Sequence, residues 1–485
     1  MDTFHFFNHL SSKYKMQLVF MIWFLFICSF SLPEESSSHL LRFVRRKSSN
    51  FFHSVVKFIP QLHNFKKIPK IVISRKGDAP ISDFFIFLLS FMVGPASASP
   101  LNVQSIKIRG PFFQGWLVRN VDHVQNCSFI LIVGSFSRKN SGSYDEHYVF
   151  CCVSTDQYTR SVEQFPLPST VSIKKVGVGI DDRSAINIHW NAKGLGCFTF
   201  TENECSGCFN FDSKYFNIKF NATSRIRWKQ SGDRKITEYN TSISKAMNPE
   251  GSIRHGVRSS DRGDGPEGWL GYTPLLPCHY FVHSVGSSCS YNIQSQGIKS
   301  HDEVVSLDRV SGSGFAHIEG NHGTFFPEGW TWCQAISPFN EASLSFVGGK
   351  FEIAGLNPIN FVVFFRRKNG QRVVFRTTDL DRIQYSINPS MGVVRIIASS
   401  RNIFREEKLD IHVSSNIPSQ LHFGSAVYIP TADGFSNQPG CVETYTATAT
   451  IKYYANRSQL EPEVYSIPLT ALEFGGSFVG KNSIT

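Results

Sequence analysis

Three short segments carry residue types that can hold an apolar molecule and move a proton on it. In residues 314–323, an extended backbone puts Phe315, His317, Glu319 and Asn321 on one face and Ala316 and Ile318 on the other. In residues 330–336, Trp330, Trp332, Gln334 and Ile336 share a face, against Thr331, Cys333 and Ala335. In residues 278–284, His279, Phe281 and His283 align, against Cys278, Tyr280 and Val282. Each segment thus sets large aromatics beside His, Glu, Asn or Gln. That is the lining of a ligand cavity in a small β-barrel: apolar walls with a few polar groups. Glu319 is the titratable centre, because His317 and Asn321 accompany it on one face. The stretch Gly323-Thr-Phe-Phe-Pro-Glu-Gly329 reads as a turn that brings Glu319 and Asn321 close to Trp330 and Trp332.

Metal chemistry has weaker support. His279 and His283 have the spacing of two ligands on a helix, but Phe281, Val282 and the Ser-rich flank argue for a strand. No glutamate completes the HExxH pattern. Cys205-x-x-Cys208, with Cys197 nearby, lacks a second CxxC or CxxH at zinc spacing and reads as thiols on a hairpin loop. No metal and no cofactor are expected.

The elements that must position these residues are strands. From residue 101 onward, short alternating runs rich in Val, Ile, Phe and Thr recur: 103–108, 128–134, 148–153, 171–178, 186–190 and 216–220. Later ones are 344–347, 361–366, 372–376, 392–398, 409–413, 426–429 and 444–454. No segment holds a 3.6-residue period beyond two turns. An all-β fold follows, as antiparallel sandwich or barrel. A first half spans 101–295, with a polar surface insertion at 230–267. A second half spans 312–485, and the polar stretch 293–312 reads as the linker between them.

Composition agrees with a cavity protein and argues against other classes. The chain has 485 residues, 41% of them apolar and 14% aromatic, with 44 Phe, which is globular composition. No apolar run reaches the ~18 residues needed to span a bilayer as a helix. The net charge of +11 suggests nucleic acid, but +7 of it lies in residues 1–100, and the remaining basic residues are scattered. No nucleic-acid partner is expected. Those first 100 residues read as targeting. Residues 1–32 resemble a signal peptide, with eleven consecutive apolar residues from Leu18 to Cys28 behind Lys13 and Lys15. Residues 33–100 begin with a Ser-, Lys- and Arg-rich stretch, free of acidic residues from Ser36 to Lys76. They end in a second short apolar segment closed by Ala96-Ser-Ala-Ser99. This pattern predicts a cleaved presequence for import into a plastid bounded by extra membranes, with one secretory signal followed by a basic linker as the alternative.

The segment His317-Ile-Glu-Gly-Asn-His-Gly-Thr-Phe-Phe-Pro-Glu-Gly-Trp-Thr-Trp-Cys-Gln334 resembles the signature of tocopherol cyclases: Glu-x-Asn-x-Gly, then Phe-Pro, then Trp-x-Trp-x-Gln. Phe112-Phe-Gln-Gly-Trp116 is similar to that family's Phe-Phe-Glu-Gly-Trp. His322, Gln114 and Leu117 depart from the family pattern. The resemblance covers roughly residues 105–455. It implies two lipocalin-like antiparallel β-barrel halves. It also implies ring closure of a prenylated quinol to a chromanol, with contact to a membrane or lipid-droplet surface and a plastoglobule or thylakoid location. In that chemistry an alkene is protonated and a phenol oxygen captures the tertiary cation. Glu319 is then the candidate acid, tuned by His317 or His283. Trp330, Trp332 and Phe281 face the cation. Asn321 and Gln334 orient the quinol hydroxyls, and His279 and Trp116 complete the substrate contacts. A non-catalytic binder of a prenyl lipid or pigment, and another acid-catalysed terpenoid isomerase or hydratase, are the alternatives on the same residues.

Overall fold

The computed structural model describes residues 111–479, except 140, 142, 156–158, 176–187, 202, 212–214, 229–265, 269–275, 299–303, 352–357, 401–405, 416–424 and 457–458. The expected presequence (1–32 and 33–100), the expected strand 103–108 and nearly all of the expected insertion 230–267 lie outside the described residues.

The described chain forms strands joined by turns and single 3-10 turns. The first eleven strands are β1 (Phe112–Asp122), β2 (Cys127–Ser137), β3 (Glu146–Ser154), β4 (Thr159–Gln164), β5 (Val171–Lys175), β6 (Ile188–Ala192), β7 (Gly196–Phe200), β8 (Glu204–Phe211), β9 (Phe216–Thr223), β10 (Cys278–Ile298) and β11 (Val304–Gly323). They make one antiparallel sheet in the order β4-β3-β2-β1-β11-β10-β9-β8-β7-β6-β5. The rest are β12 (Gly329–Ile336), β13 (Ser343–Lys350), β14 (Ile359–Arg366), β15 (Arg372–Arg376), β16 (Arg382–Asn388), β17 (Val393–Ser399), β18 (Lys408–Ser414), β19 (Ser425–Val427), β20 (Cys441–Tyr454) and β21 (Glu463–Gly476). These form a second sheet, β15-β14-β13-β12-β21-β20-β18-β17-β16, with β19 paired to β20. The fold is therefore all-β with two barrel-like sheets, as the alternation predicts.

Among the described residues, period-2 alternation builds three large cores, with a small fourth cluster of Phe113, Phe136 and Cys278. Trp116, Val118, Phe129, Leu131, Trp190, Phe198 and Ile318 fill the inside of the first sheet. Cys333, Ala335, Leu344, Phe346, Ile396, Ile411 and Ile451 fill the inside of the second. A third cluster, with Leu117, Ile130, Tyr280, Trp330, Trp332, Phe364 and Tyr445, draws on both sheets and lies between them. Because successive side chains point oppositely, a strand can serve its own core and the shared layer at once. Thus Cys333 and Ala335 go to the second core, and Trp330 and Trp332 to the shared layer.

Two expectations are corrected here. The polar stretch 293–312 is not a linker: it lies in the long antiparallel hairpin of β10 and β11. The alternation was present but carried by unusual inward residues. Cys289, Tyr291 and Ile293 are buried, while Ser288 and Ser290 are exposed. Consequently β11, with His317 and Glu319, belongs to the first sheet, and the crossing to the second falls after Gly323 rather than at 295–312. Cys205 and Cys208 lie on strand β8, not on a hairpin loop, and the odd spacing puts one buried and the other exposed.

Candidate active site

The site is assembled from one row of residues on each sheet. On the first sheet, Glu319 of β11 stands opposite Leu117 of β1 and Val282 of β10, and Leu117 stands opposite Ile132 of β2. On the second, Trp332 of β12 stands between Val347 of β13 and Glu473 of β21, and Glu473 faces Glu443 of β20. The rows meet where the Trp332 indole Nε1 donates to Glu319 Oε2 at 3.0 Å. The same oxygen accepts from the Tyr280 hydroxyl at 2.9 Å and lies 2.8 Å from His317 Nε2. His317 Nδ1 is buried with no hydrogen-bond partner among the described residues. That leaves Nε2–H to point at the carboxylate. Glu319 and His317 are 2% and 0% exposed, so this is a buried, hydrogen-bonded centre rather than a rim carboxylate.

A second pair of carboxyls lies on β20 and β21. Glu473 accepts from the Trp330 indole Nε1, and Glu443 accepts from the Tyr445 hydroxyl. The two carboxyls face each other across the β20–β21 pair with oxygens within 4.8 Å, where a proton held by one of them relieves the repulsion of two buried like charges. Burial is the main cause that pushes both above the usual carboxylate range, and mutual repulsion with Glu319 adds to it. Glycine makes the room for Trp330: a Cβ at Gly475 would lie 2.0 Å from the indole. Burial beside Glu319 likewise pushes the Tyr280 phenol well above its ordinary value.

Between the rows lies a cavity of about 190 Å³, bordered by Phe113, Leu117, Ile132, Phe326, Val347 and Phe361 and by Tyr280, Glu319, Asn321, Glu443 and Glu473. The ~150 Å³ apolar cavity that accepts benzene sets the scale: an aromatic ring fits, and a long chain must extend toward the opening. Cys441, Glu443 and Glu473 each bring a ligand-type atom within 4.8 Å of the others. Their atoms are already engaged, however. The Cys441 thiol points to the Val427 carbonyl and is pushed well up by burial, and both carboxyls hold donors. This grouping is built to share a proton rather than to cradle a cation.

Of the residues singled out in the sequence, the structure brings Glu319, His317, Asn321, Trp330 and Trp332 to this one place. The others go elsewhere, and the reason is strand parity. The functional face of β10 is the one with Tyr280 and Val282, not the one with His279, Phe281 and His283. His283 is the extra residue of a bulge between Val282 and Ser284. Its ring packs 4.7 Å from Phe200 inside the first sheet, and burial lowers its pKa to about 3. It is not beside Glu319. His279 pairs with Glu267 at 2.8 Å, and Phe281 stacks on His322 at 5.3 Å. Trp116 borders the cavity, but its indole belongs to the first core, 5.9 Å from Phe198. Gln334 is buried and accepts from Arg119, so it braces strands rather than facing a ligand. The cavity itself lies between the two sheets, not within one barrel, because each sheet fills its own interior with apolar side chains. Tyr280, Glu443, Glu473 and Arg119 were missed. A signal existed for Glu443, an acidic residue sharing strand parity with Cys441 and Tyr445.

The fold and site together define an all-β protein with two barrel-like sheets and a carboxyl-bearing apolar cavity between them. No protein-family model matches the chain, and no curated protein matches it in sequence. Solved structures do match. CghA with Sch210972 aligns over 75% of this chain and 88% of its own at 9% identity and a TM-score of 0.46. A putative AttH from Nitrosomonas europaea aligns over 79% and 98%, at 11% identity and 0.41. Kievitone hydratase from Nectria haematococca aligns over 75% and 89%, at 10% identity and 0.36.

Proposed function

We propose that the protein is an acid-catalysed cyclase that closes the chromanol ring of a prenylated quinol, the reaction of the tocopherol cyclases whose signature residues 317–334 resemble. The observation that carries this reading is a largely apolar cavity that holds three buried carboxyls with their Tyr and Trp donors. Ring closure is an isomerisation: one proton is added to an alkene carbon and one is lost from a phenol oxygen. It needs a protonated acid, a proton acceptor, aromatic faces for a transient cation and exclusion of water. Buried carboxyls supply the first two, Trp330 and Trp332 the third, and the apolar walls the fourth. Asn321 lies on the Tyr280 side of the cavity, where it can bond a quinol hydroxyl. The presequence composition supports action in a plastid, where the substrate would be drawn from a lipid surface.

The test is direct. Purified protein is incubated with a phytyl-benzoquinol, and the products are separated and weighed by mass spectrometry. The expected product has the substrate's mass and the retention of the chromanol. Retention of intact quinol on the protein without conversion would instead support a lipid-binding role.

A further inference from the structure

Resting on that reading, we infer that the two carboxyl sites divide the proton traffic: Glu473, sharing its proton with Glu443, is the general acid, and Glu319 is the base. The hydrogen bonds separate the roles. Glu319 Oε2 accepts from the Tyr280 hydroxyl and the Trp332 indole, with His317 Nε2 at 2.8 Å, so donors already crowd that oxygen. Donors of this kind favour the charged form of a carboxyl, which makes Glu319 the proton acceptor of the two sites. Glu443 and Glu473 instead face each other across β20 and β21 with oxygens within 4.8 Å, and two buried carboxyls that close favour a proton on one of them. Both border the cavity, and Glu473, 8% exposed against 1% for Glu443, is the more open of the two. Its oxygen also holds the Trp330 indole N–H, which fixes that aromatic ring beside the acid.

The step balances without any added reagent. The Glu473 O–H bond breaks, and a C–H bond forms at the less substituted alkene carbon, leaving a tertiary cation near Trp330 and Trp332. A phenol oxygen lone pair closes the C–O bond. The phenol proton passes to Glu319. Departure of the product lets water exchange return Glu319 to its anion and Glu473 to its acid. Both strands place these groups by register rather than by loops. Trp332 lies opposite Glu473 on one side and bonds Glu319 on the other, so the ring of the substrate spans acid and base.

Two measurements on the full chain test this. The first is turnover of the phytyl-benzoquinol by wild type, Glu473→Gln, Glu443→Gln and Glu319→Gln, with folding checked by circular dichroism. The second is the affinity for a long-chain dimethylamine, a stand-in for the tertiary cation, against the alcohol of the same length, followed by tryptophan fluorescence. Glu473→Gln should lower kcat by roughly 100-fold or more, the usual contribution of a general acid. It should also abolish the preference for the amine. Glu473→Gln turning over within a few-fold of wild type would overturn the assignment while leaving the cyclase reading intact. If wild type converts no quinol, the cyclase reading fails, and the amine decides the acid. A preference lost in both Glu473→Gln and Glu443→Gln upholds a cation-facing carboxyl pair, and one unchanged in them refutes it.

Discussion

At the scale of single residues, the chemistry depends on which hydrogen bonds end on which carboxyl oxygen. Tyr280 and Trp332 both donate to Glu319 Oε2. A hydrogen bond to a charged group contributes about 1.5–3 kcal/mol. Tyr280→Phe should therefore lower kcat/KM for the quinol by roughly 10–100-fold, measured by steady-state kinetics. An unchanged value would remove Tyr280 from the site. The carboxyl pair predicts a pH dependence of defined sign. Burial raises Glu443 and Glu473 above the ordinary carboxylate range, so the pair keeps its proton as pH climbs past that range. The rate should fall on the alkaline side, as pH rises through the raised value, in a pH–rate profile.

At the scale of strands, two features hold the site in shape. Gly475 leaves room for the Trp330 indole. Gly475→Ala should displace that ring and cost about 1–3 kcal/mol of stability by overpacking, readable in urea unfolding. Arg119 of β1 is fully buried and donates to Gln334 of β12 and to the Leu469 carbonyl of β21, tying the two sheets together. Burial lowers its pKa to about 9, still cationic at neutral pH. Arg119→Met should lower stability by about 1.5–3 kcal/mol in the same unfolding measurement. How far these elements can be read from sequence varies with the physics behind them. Strands such as β2 and β14 were legible because inward Phe, Val and Leu alternate or run continuously. Parity also placed Glu319 with His317, and Trp330 with Trp332. It could not say which face of β10 meets the other sheet, because both faces carry aromatics and polar groups. A bulge at His283 shifts the count besides. Glu443 and Glu473 meet across the consecutive strands β20 and β21, but register shifts between Thr444 and Ala449 break the count, so parity alone does not announce their contact.

At the scale of the whole molecule, burial of neutral histidines makes stability depend on acid. His283 and His322 are both lowered to about 3, chiefly by burial. Unfolded, they would take up a proton near pH 6.5. Their contribution is thus present above about pH 6.5 and is lost as pH falls toward about 3. The thermal midpoint should fall over that window, and His322→Phe should flatten the fall. An equally steep fall in the variant would assign the acid limb to other groups. The two-sheet arrangement also explains why the cavity is lined from both halves: each sheet spends one face on its own core and the other on the shared layer. The central claim is that protonation of an alkene in that layer starts ring closure. It is tested most directly by running the reaction with phytyl-benzoquinol in heavy water and weighing the product. Proton transfer from an exchangeable carboxyl predicts a chromanol carrying one carbon-bound solvent deuterium. A chromanol free of solvent deuterium, or no chromanol at all, would contradict it.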